Sequence, residues 1–261
     1  MAVVLITVDG VRPDAIQQAS TPTFDKLTTD GSYSFSAQSV MPTSTLPCHM
    51  SMFHSVPPTR HGILTNDYSP MVRPIPGLFE QVRSAAKTSA TFYTWDVLRD
   101  LSRPLTVSRT YHVEVNYENL KDSDKRLVDI AEPLIADSAY DFYFIHMDAA
   151  DELGHIFGWM SDEQLAQVEV LDALIGRLVA ALPDDSQILV QADHGGHDRS
   201  HGTDDPADMT IPYFLYGAGI RAGHEFTEAV TLLDTAPTIA HLLDVPFARD
   251  WEGNVLRSAL I

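Results

Sequence analysis

The chain has a single cysteine, Cys48, in 261 residues, which excludes any disulfide within it. Basic side chains are scarce as well: 17 Lys and Arg stand against 36 Asp and Glu, for a formal charge of −19. A field of that sign repels polynucleotide backbones and anionic bilayers, which argues against nucleic-acid polymers and membranes as partners. A small phosphorylated substrate would need its charge met locally, and bound cations can do that. No apolar run approaches the length of a membrane span. The opening Met1-Ala-Val-Val-Leu-Ile-Thr-Val-Asp9 lacks a basic segment and reads as a core strand, not as a signal peptide. Repeats, low-complexity tracts and long linkers are missing too, and nothing sets an oligomeric state. What is left, 44% hydrophobic and 20% charged, is the composition of an ordinary folded domain, and the expectation is a cytoplasmic enzyme.

Residues able to do chemistry gather where strands end. Ser186–Gln191 is an apolar, β-branched run that reads as a buried parallel strand. It leads into Gln191-Ala-Asp-His-Gly-Gly-His-Asp-Arg-Ser-His-Gly-Thr203, which carries Asp193, His194, His197, Asp198 and His201. Imidazole beside carboxylate suits zinc or a similar divalent ion, and open α/β sheets bind ligands at the carboxyl ends of their strands. A solvated turn is the plainer alternative, and it fits a lone histidine better than this density. Ala2–Val8 is a second buried strand and ends in Asp9-Gly10. A carboxylate there is costly unless paired or metal-bound, and a cap for the next helix is the equal alternative. Tyr140–Met147 is a third strand, followed by Asp148, Asp151 and His155. Met41–His54 crowds hydroxyl residues ahead of Pro47, where a helix begins. That is either an ordinary cap or a phosphate cradle beside a Ser or Thr nucleophile.

Around these stretches, Thr21–Asp30, Gly77–Ala86, Asp162–Leu182 and Leu232–Leu243 read as helices, as does Ser123–Ser138 with an interruption near Pro133. Thr88–Thr94, Tyr111–Val115 and Ile211–Tyr216 read as strands. Residues 95–119 have broken periodicity and are expected to form a short insertion or pocket wall. The alternation predicts one doubly wound α/β domain over residues 1–261, with a mostly parallel central sheet and helices on both faces. Such a sheet brings Asp9, Thr45 with its neighbours, Asp151/His155 and Asp193/His194/His201 to one side, and that ligand count suits two divalent ions.

Five motifs in order then carry a family resemblance: Asp9-Gly10-x-Arg12-Pro13, Pro42-Thr-x-Thr45-x-Pro47, His61-Gly62-Ile63-x-x-Asn66, Asp151-x-x-Gly154-His155-x-x-Gly158, and Asp193-His194-Gly195 with His201-Gly202. They resemble the alkaline phosphatase superfamily, and most of all its nucleotide pyrophosphatase/phosphodiesterase branch. Asp234-Thr-Ala-Pro237 is similar as well. The resemblance implies two divalent ions, usually zinc with manganese as the alternative. One would be held by Asp151, His155 and His201. The other would be held by Asp9, Asp193, His194 and the Thr45 oxygen. Thr45 would attack phosphorus in line, and water would release the phosphothreonine. His197 is left over, and Asp148 is a candidate to orient a ligand. Cys48 stands where that branch commonly has an asparagine that donates to phosphate. A thiol donates poorly, so backbone amides or Asn66 would take the role. Asn66, Cys48 and Trp95, which heads the pocket-wall segment, are the candidate substrate contacts.

The implied activity is hydrolysis of small, nucleotide-like phosphodiesters. A phosphomonoesterase or phosphonate hydrolase on the same site is the alternative, and a metal-stabilised protein without catalysis is the alternative of another class. A sulfatase is disfavoured because Cys48 is not followed by Pro-Ser-Arg, and a phosphomutase because no large inserted block is present.

Overall fold

The centre of the sheet is Val3–Val8 (β1), six consecutive buried residues with parallel neighbours on both sides. In this computed structural model, which describes residues 1–115 and 120–261, the further strands are Ser32–Gln38 (β2), Ser89–Tyr93 (β3), Arg109–His112 (β4), Phe142–Met147 (β5), Gln187–Gln191 (β6), Thr210–Gly217 (β7) and His224–Glu225 (β8). They form one sheet in the order β4-β3-β5-β1-β6-β7-β2-β8. The first five in that order are mutually parallel, while β7 runs antiparallel to both β6 and β2. Strands buried on both faces favour apolar side chains on both, which is why β1 and β5 are nearly continuous apolar runs, broken by Thr7 and His146.

The two faces of β5 show how the helices divide. Phe142 and Phe144 meet Phe53 of the helix Thr45–His54, and His146 meets His49 of the same helix. On the opposite face the Tyr143 hydroxyl donates to the Leu134 carbonyl, 2.7 Å away, in the helix Leu120–Ala136. That helix packs with Ala149–Phe157 and with the long Asp162–Ala181, whose apolar stripe lies on the core. Thr45–His54, Leu78–Ser84 and Thr235–Leu242 form the other layer. The fold is thus one α/β domain with helices on both faces of a mostly parallel sheet.

Four local expectations are corrected. The helix Leu120–Ala136 continues through Pro133 to Ala136, and the proline forfeits one backbone hydrogen bond near the end of a 17-residue helix. β4 lies at Arg109–His112, two residues earlier than expected and mostly exposed at the sheet edge. β2 is an unexpected strand: its Ser-Tyr-Ser-Phe pattern offers no apolar run, and its pairing with β7 forms it. The closing helix begins as a single 3-10 turn, Leu232–Asp234. Of the expected pocket wall, residues 116–119 lie outside the described residues. Among the described residues, no helix is long and apolar enough to cross a membrane.

Candidate active site

The carboxyl ends of β1, β5 and β6 bring Asp9, His146, Asp148, Asp193 and His194 together. The helix Ala149–Phe157 adds Asp151 and His155, four residues apart on one helical face. The loop after β6 returns His201, whose ring stacks on that of His194 with centroids 3.9 Å apart. Gly10 makes this crowding possible. It sits at a φ of 68°, and a Cβ there would lie 2.6 Å from Asp151 Oδ1. Gly196 does the same on the other side, where a Cβ would overlap the Trp159 ring at 2.2 Å.

Donor atoms fall into overlapping groups, each within 4.8 Å: Asp151/His194/His201, Asp9/Asp193/His194 and Asp9/His146/Asp148. His194 therefore sits at the junction of the first two, 3.3 Å from Asp9 and 3.4 Å from Asp193. The sequence-based partition put it with one ion only. His155 lies 3.2 Å from Asp151 and is the most exposed member of the set.

The histidines are oriented for coordination. His155, His194 and His201 each turn Nδ1 to a backbone carbonyl, of Arg199, Gly195 and Thr43, at 3.0, 2.8 and 2.7 Å. Donating there leaves the Nε2 lone pair of each ring free for a metal. The carboxylates show the complementary lack. Among the described residues, Asp9 Oδ1, Asp151 Oδ1 and both oxygens of Asp193 are buried with no hydrogen-bond donor. A buried carboxylate without a partner costs on the order of several kcal/mol, so one or two divalent cations fit this arrangement. Without a cation, burial and then the charges of Asp193, Asp151 and Asp148 raise Asp9 well above the usual carboxylate range. Asp148 is raised in the same way, by burial and then by Asp151 and Glu152. The Asp151 hydrogen bond lifts His155 to about 9, so a metal binding there displaces a proton below that pH.

Thr45 is the first residue of the helix Thr45–His54, with Ser44 as its N-cap. Its hydroxyl lies 3.3 Å from His194 Nε2. The rival hydroxyl of Thr43 is occupied: it donates to Thr203 O at 2.8 Å and accepts from Gly202 N at 3.0 Å. Thr43 thereby ties the loop bearing His201 to the loop bearing Thr45.

The helix start differs from the expected cradle of free amides. Leu46 N donates to Asn66 Oδ1 at 3.0 Å, Cys48 N to Ser44 O, and Pro47 has no N–H. Asn66 is thus beside Thr45, as a cap. Cys48 is not at the site: its thiol is fully buried beside Ser39, 3.3 Å away, and burial pushes its pKa up. Trp95 is half-buried and lines a cavity of about 450 Å³ that also includes Asp148.

Two residues of the inner wall are not among those the sequence singled out. His146 Nε2 donates to Asp9 Oδ2 at 2.9 Å, and His49 Nδ1 donates to Thr45 O at 2.8 Å. Burial lowers the pKa of both, so they work as neutral donors. His49 could have been found from its i+4 spacing to Thr45. His146 lies inside an apolar strand, where spacing says nothing.

His197 points elsewhere, to Asp208 Oδ1 at 2.7 Å, and Asp208 also accepts from Thr203 N and Oγ1. His197→Ala is expected to leave metal stoichiometry unchanged and to lower stability by about 1 kcal/mol, one hydrogen bond's worth. Elemental analysis and thermal melts check this, and a lost metal ion would place His197 among the ligands.

A family model described as the Metalloenzyme superfamily matches residues 1–246. The chain belongs to this superfamily. Among curated relatives, mouse (Mus musculus) GPI ethanolamine phosphate transferase 3, catalytic subunit, is 24% identical over 183 residues, 69% of this chain and 17% of the relative. Mouse ectonucleotide pyrophosphatase/phosphodiesterase family member 3 is 26% identical over 225 residues, 74% of this chain and 24% of the relative. The chain thus matches about a quarter or less of these relatives' length. Among solved structures, an inactive variant of murine ectonucleotide pyrophosphatase/phosphodiesterase 5 in complex with AMP superposes with a TM-score of 0.81 at 16% identity, covering 100% of both chains. A mutant of the alkaline phosphatase PafA gives 0.79 at 12% identity, covering 100% of this chain and 99% of that one. Both show the alkaline-phosphatase-like fold, and the superfamily implies divalent metal ions at the carboxylate and histidine cluster.

Proposed function

We propose that this superfamily member is a two-metal hydrolase of small phosphodiesters with Thr45 as nucleophile. The observation that carries the reading is the set of three histidines with Nδ1 pinned and Nε2 free, facing carboxylate oxygens that lack donors, beside the Thr45 hydroxyl. Asp151, His155 and His201 would hold one ion and Asp9, Asp193 and Thr45 the other, with His194 between them. When bound, the ions lower the pKa of the Thr45 hydroxyl and offset charge on the leaving oxygen; zinc suits this donor set, and manganese is the alternative.

The chain's own residues do the rest. His49 holds the Thr45 carbonyl, and thereby the helix start that presents its hydroxyl. His146 fixes which oxygen of Asp9 turns inward. Asn66 has its carbonyl engaged at Leu46, which keeps its amide donors for a phosphate oxygen. Thr45 Oγ attacks phosphorus, the alcohol leaves opposite, and water then cleaves the phosphothreonine.

The reading favours diesters over monoesters. A monoester dianion brings a second negative charge, and of the two cations in the motif loops, Arg12 and Arg199, Arg12 is committed to Asp14 and to Gly196 O, 2.9 and 3.1 Å away. The kcat/KM for bis-p-nitrophenyl phosphate is expected to exceed that for p-nitrophenyl phosphate at least tenfold. A monoester preference would favour a phosphomonoesterase on the same residues. The names of the relatives, a phosphodiesterase and an ethanolamine phosphate transferase, agree with a phosphoester substrate.

A further inference from the structure

Trp159 follows the helix Ala149–Phe157 and its Gly158 cap, and it is buried against all three segments that carry the metal-binding side chains. Its indole N–H donates to Gly10 O, 2.8 Å away, on the residue after Asp9. Its ring meets those of His155 and His201 edge-on, at centroid distances of 5.0 and 5.9 Å and interplanar angles of 90° and 67°. Its backbone N–H donates to Asp198 O, 2.8 Å away, in the loop that returns His201. The backbone is bent to deliver the ring, with φ at 109° in Gly158 and 65° in Met160. A methionine holds that conformation only where its surroundings fix it, and Met160 N donates to Gln164 Oε1 at 2.7 Å. Two glycines make room. A Cβ on Gly154 would lie 2.9 Å from Cδ2 and Cε2 of the indole, and one on Gly196 would lie 2.6 and 2.2 Å from the same atoms. The helix bearing His155 and the loop bearing His201 therefore close on one bond of this ring.

Resting on the metal assignment of the proposed function, we propose that Trp159 is a positioning residue of this site. The indole spaces Gly10, His155 and His201 so that the ligand set of Asp151, His155 and His201 is in place before an ion binds. An imidazole pinned only at Nδ1 can still tilt about that bond, and a large ring packed edge-on against it limits the tilt. Trp159 acts through these ligands and takes no part in bond making. Core packing alone would stabilise the fold without favouring a metal, and that difference is measurable.

The test is zinc affinity, read by competition with a chromophoric chelator. Trp159→Phe removes the N–H and the outer ring, and it is expected to weaken zinc binding by roughly tenfold to a hundredfold. Cobalt(II) bound in place of zinc should show altered visible absorption at saturation. The control is Leu178→Ala, a buried position near the end of the helix Asp162–Ala181 that leads into the start of β6, at the opposite end of the sheet from the cluster. It should lower Tm in chelated and loaded protein alike and leave zinc affinity unchanged. Unaltered zinc affinity in Trp159→Phe overturns the proposal. If that variant does not fold, indole hydrogen exchange in the ¹⁵N-labelled unaltered protein decides. The chain has three tryptophans, so Trp95→Phe and Trp251→Phe assign the Trp159 signal by elimination. Its N–H should exchange slowly in chelated protein and change little when zinc is added. An N–H that exchanges freely until zinc binds overturns the proposal, because the metal would then be placing the tryptophan. Neither readout uses a substrate. The expected zinc results without hydrolysis of bis-p-nitrophenyl phosphate would remove the phosphodiesterase reading and leave this inference standing.

Discussion

Thr45→Ala is expected to lower kcat by on the order of 10³-fold or more, as loss of a covalent nucleophile does. Thr45→Ser should keep a measurable part of the rate, because the attacking oxygen survives and only the methyl that restricts its rotamers is lost. Thr43→Ala separates chemistry from architecture. Its hydroxyl bridges Thr203 O and Gly202 N, so its removal loosens the loop that carries His201. The expected result is a raised metal requirement with kcat largely restored at saturating zinc. A Thr45→Ala protein of near-normal rate would leave attack by water or hydroxide as the mechanism.

Metal removal should have the largest effect on stability, and that effect should grow with pH. Without cations, burial and neighbouring carboxylates hold Asp9 and Asp148 well above the usual range. The folded apo-chain then keeps protons that the unfolded chain has lost, so its stability falls as pH rises from the ordinary carboxylate range through the raised values. Bound ions replace those protons, so their contribution increases across the same window. Ligand at about 1,000 times its Kd adds about 4 kcal/mol. The difference in Tm between zinc-loaded and chelated protein should therefore be greater near pH 8 than near pH 5.5. A difference independent of pH would mean that the carboxylates do not bind the ions.

The sequence showed most clearly what physics forces into a pattern. β1, β3, β5 and β6 are buried on both faces and so are mainly apolar with no acid inside them, and the acids that follow β1, β5 and β6 stand out against that background. β2 and β4 lie toward the sheet edges, where pairing, not composition, makes a strand. At the site, Asp9, Asp151, His155, Asp193, His194 and His201 converge as their strand-end positions suggested. The sharing of His194 depends on side-chain geometry that spacing does not encode. Cys48 was misplaced because helix phase decides the matter: three residues after Thr45 its thiol points inward, against Ser39. His49 and His146 escaped notice because each stands inside an apolar stretch and acts through a hydrogen bond to a site residue.

The most direct measurement is chemical trapping of the nucleophile. Metal-loaded protein is mixed with a ³²P-labelled or p-nitrophenyl diester, quenched in acid during turnover, digested, and its peptides mapped by mass. Phosphoester on Thr45, in the peptide that includes Pro47 and Cys48, with none on the same peptide from Thr45→Ala, is the expected result. Steady turnover with Thr45 unmodified at every quench time, or label on Thr43 or Ser44, would contradict the account.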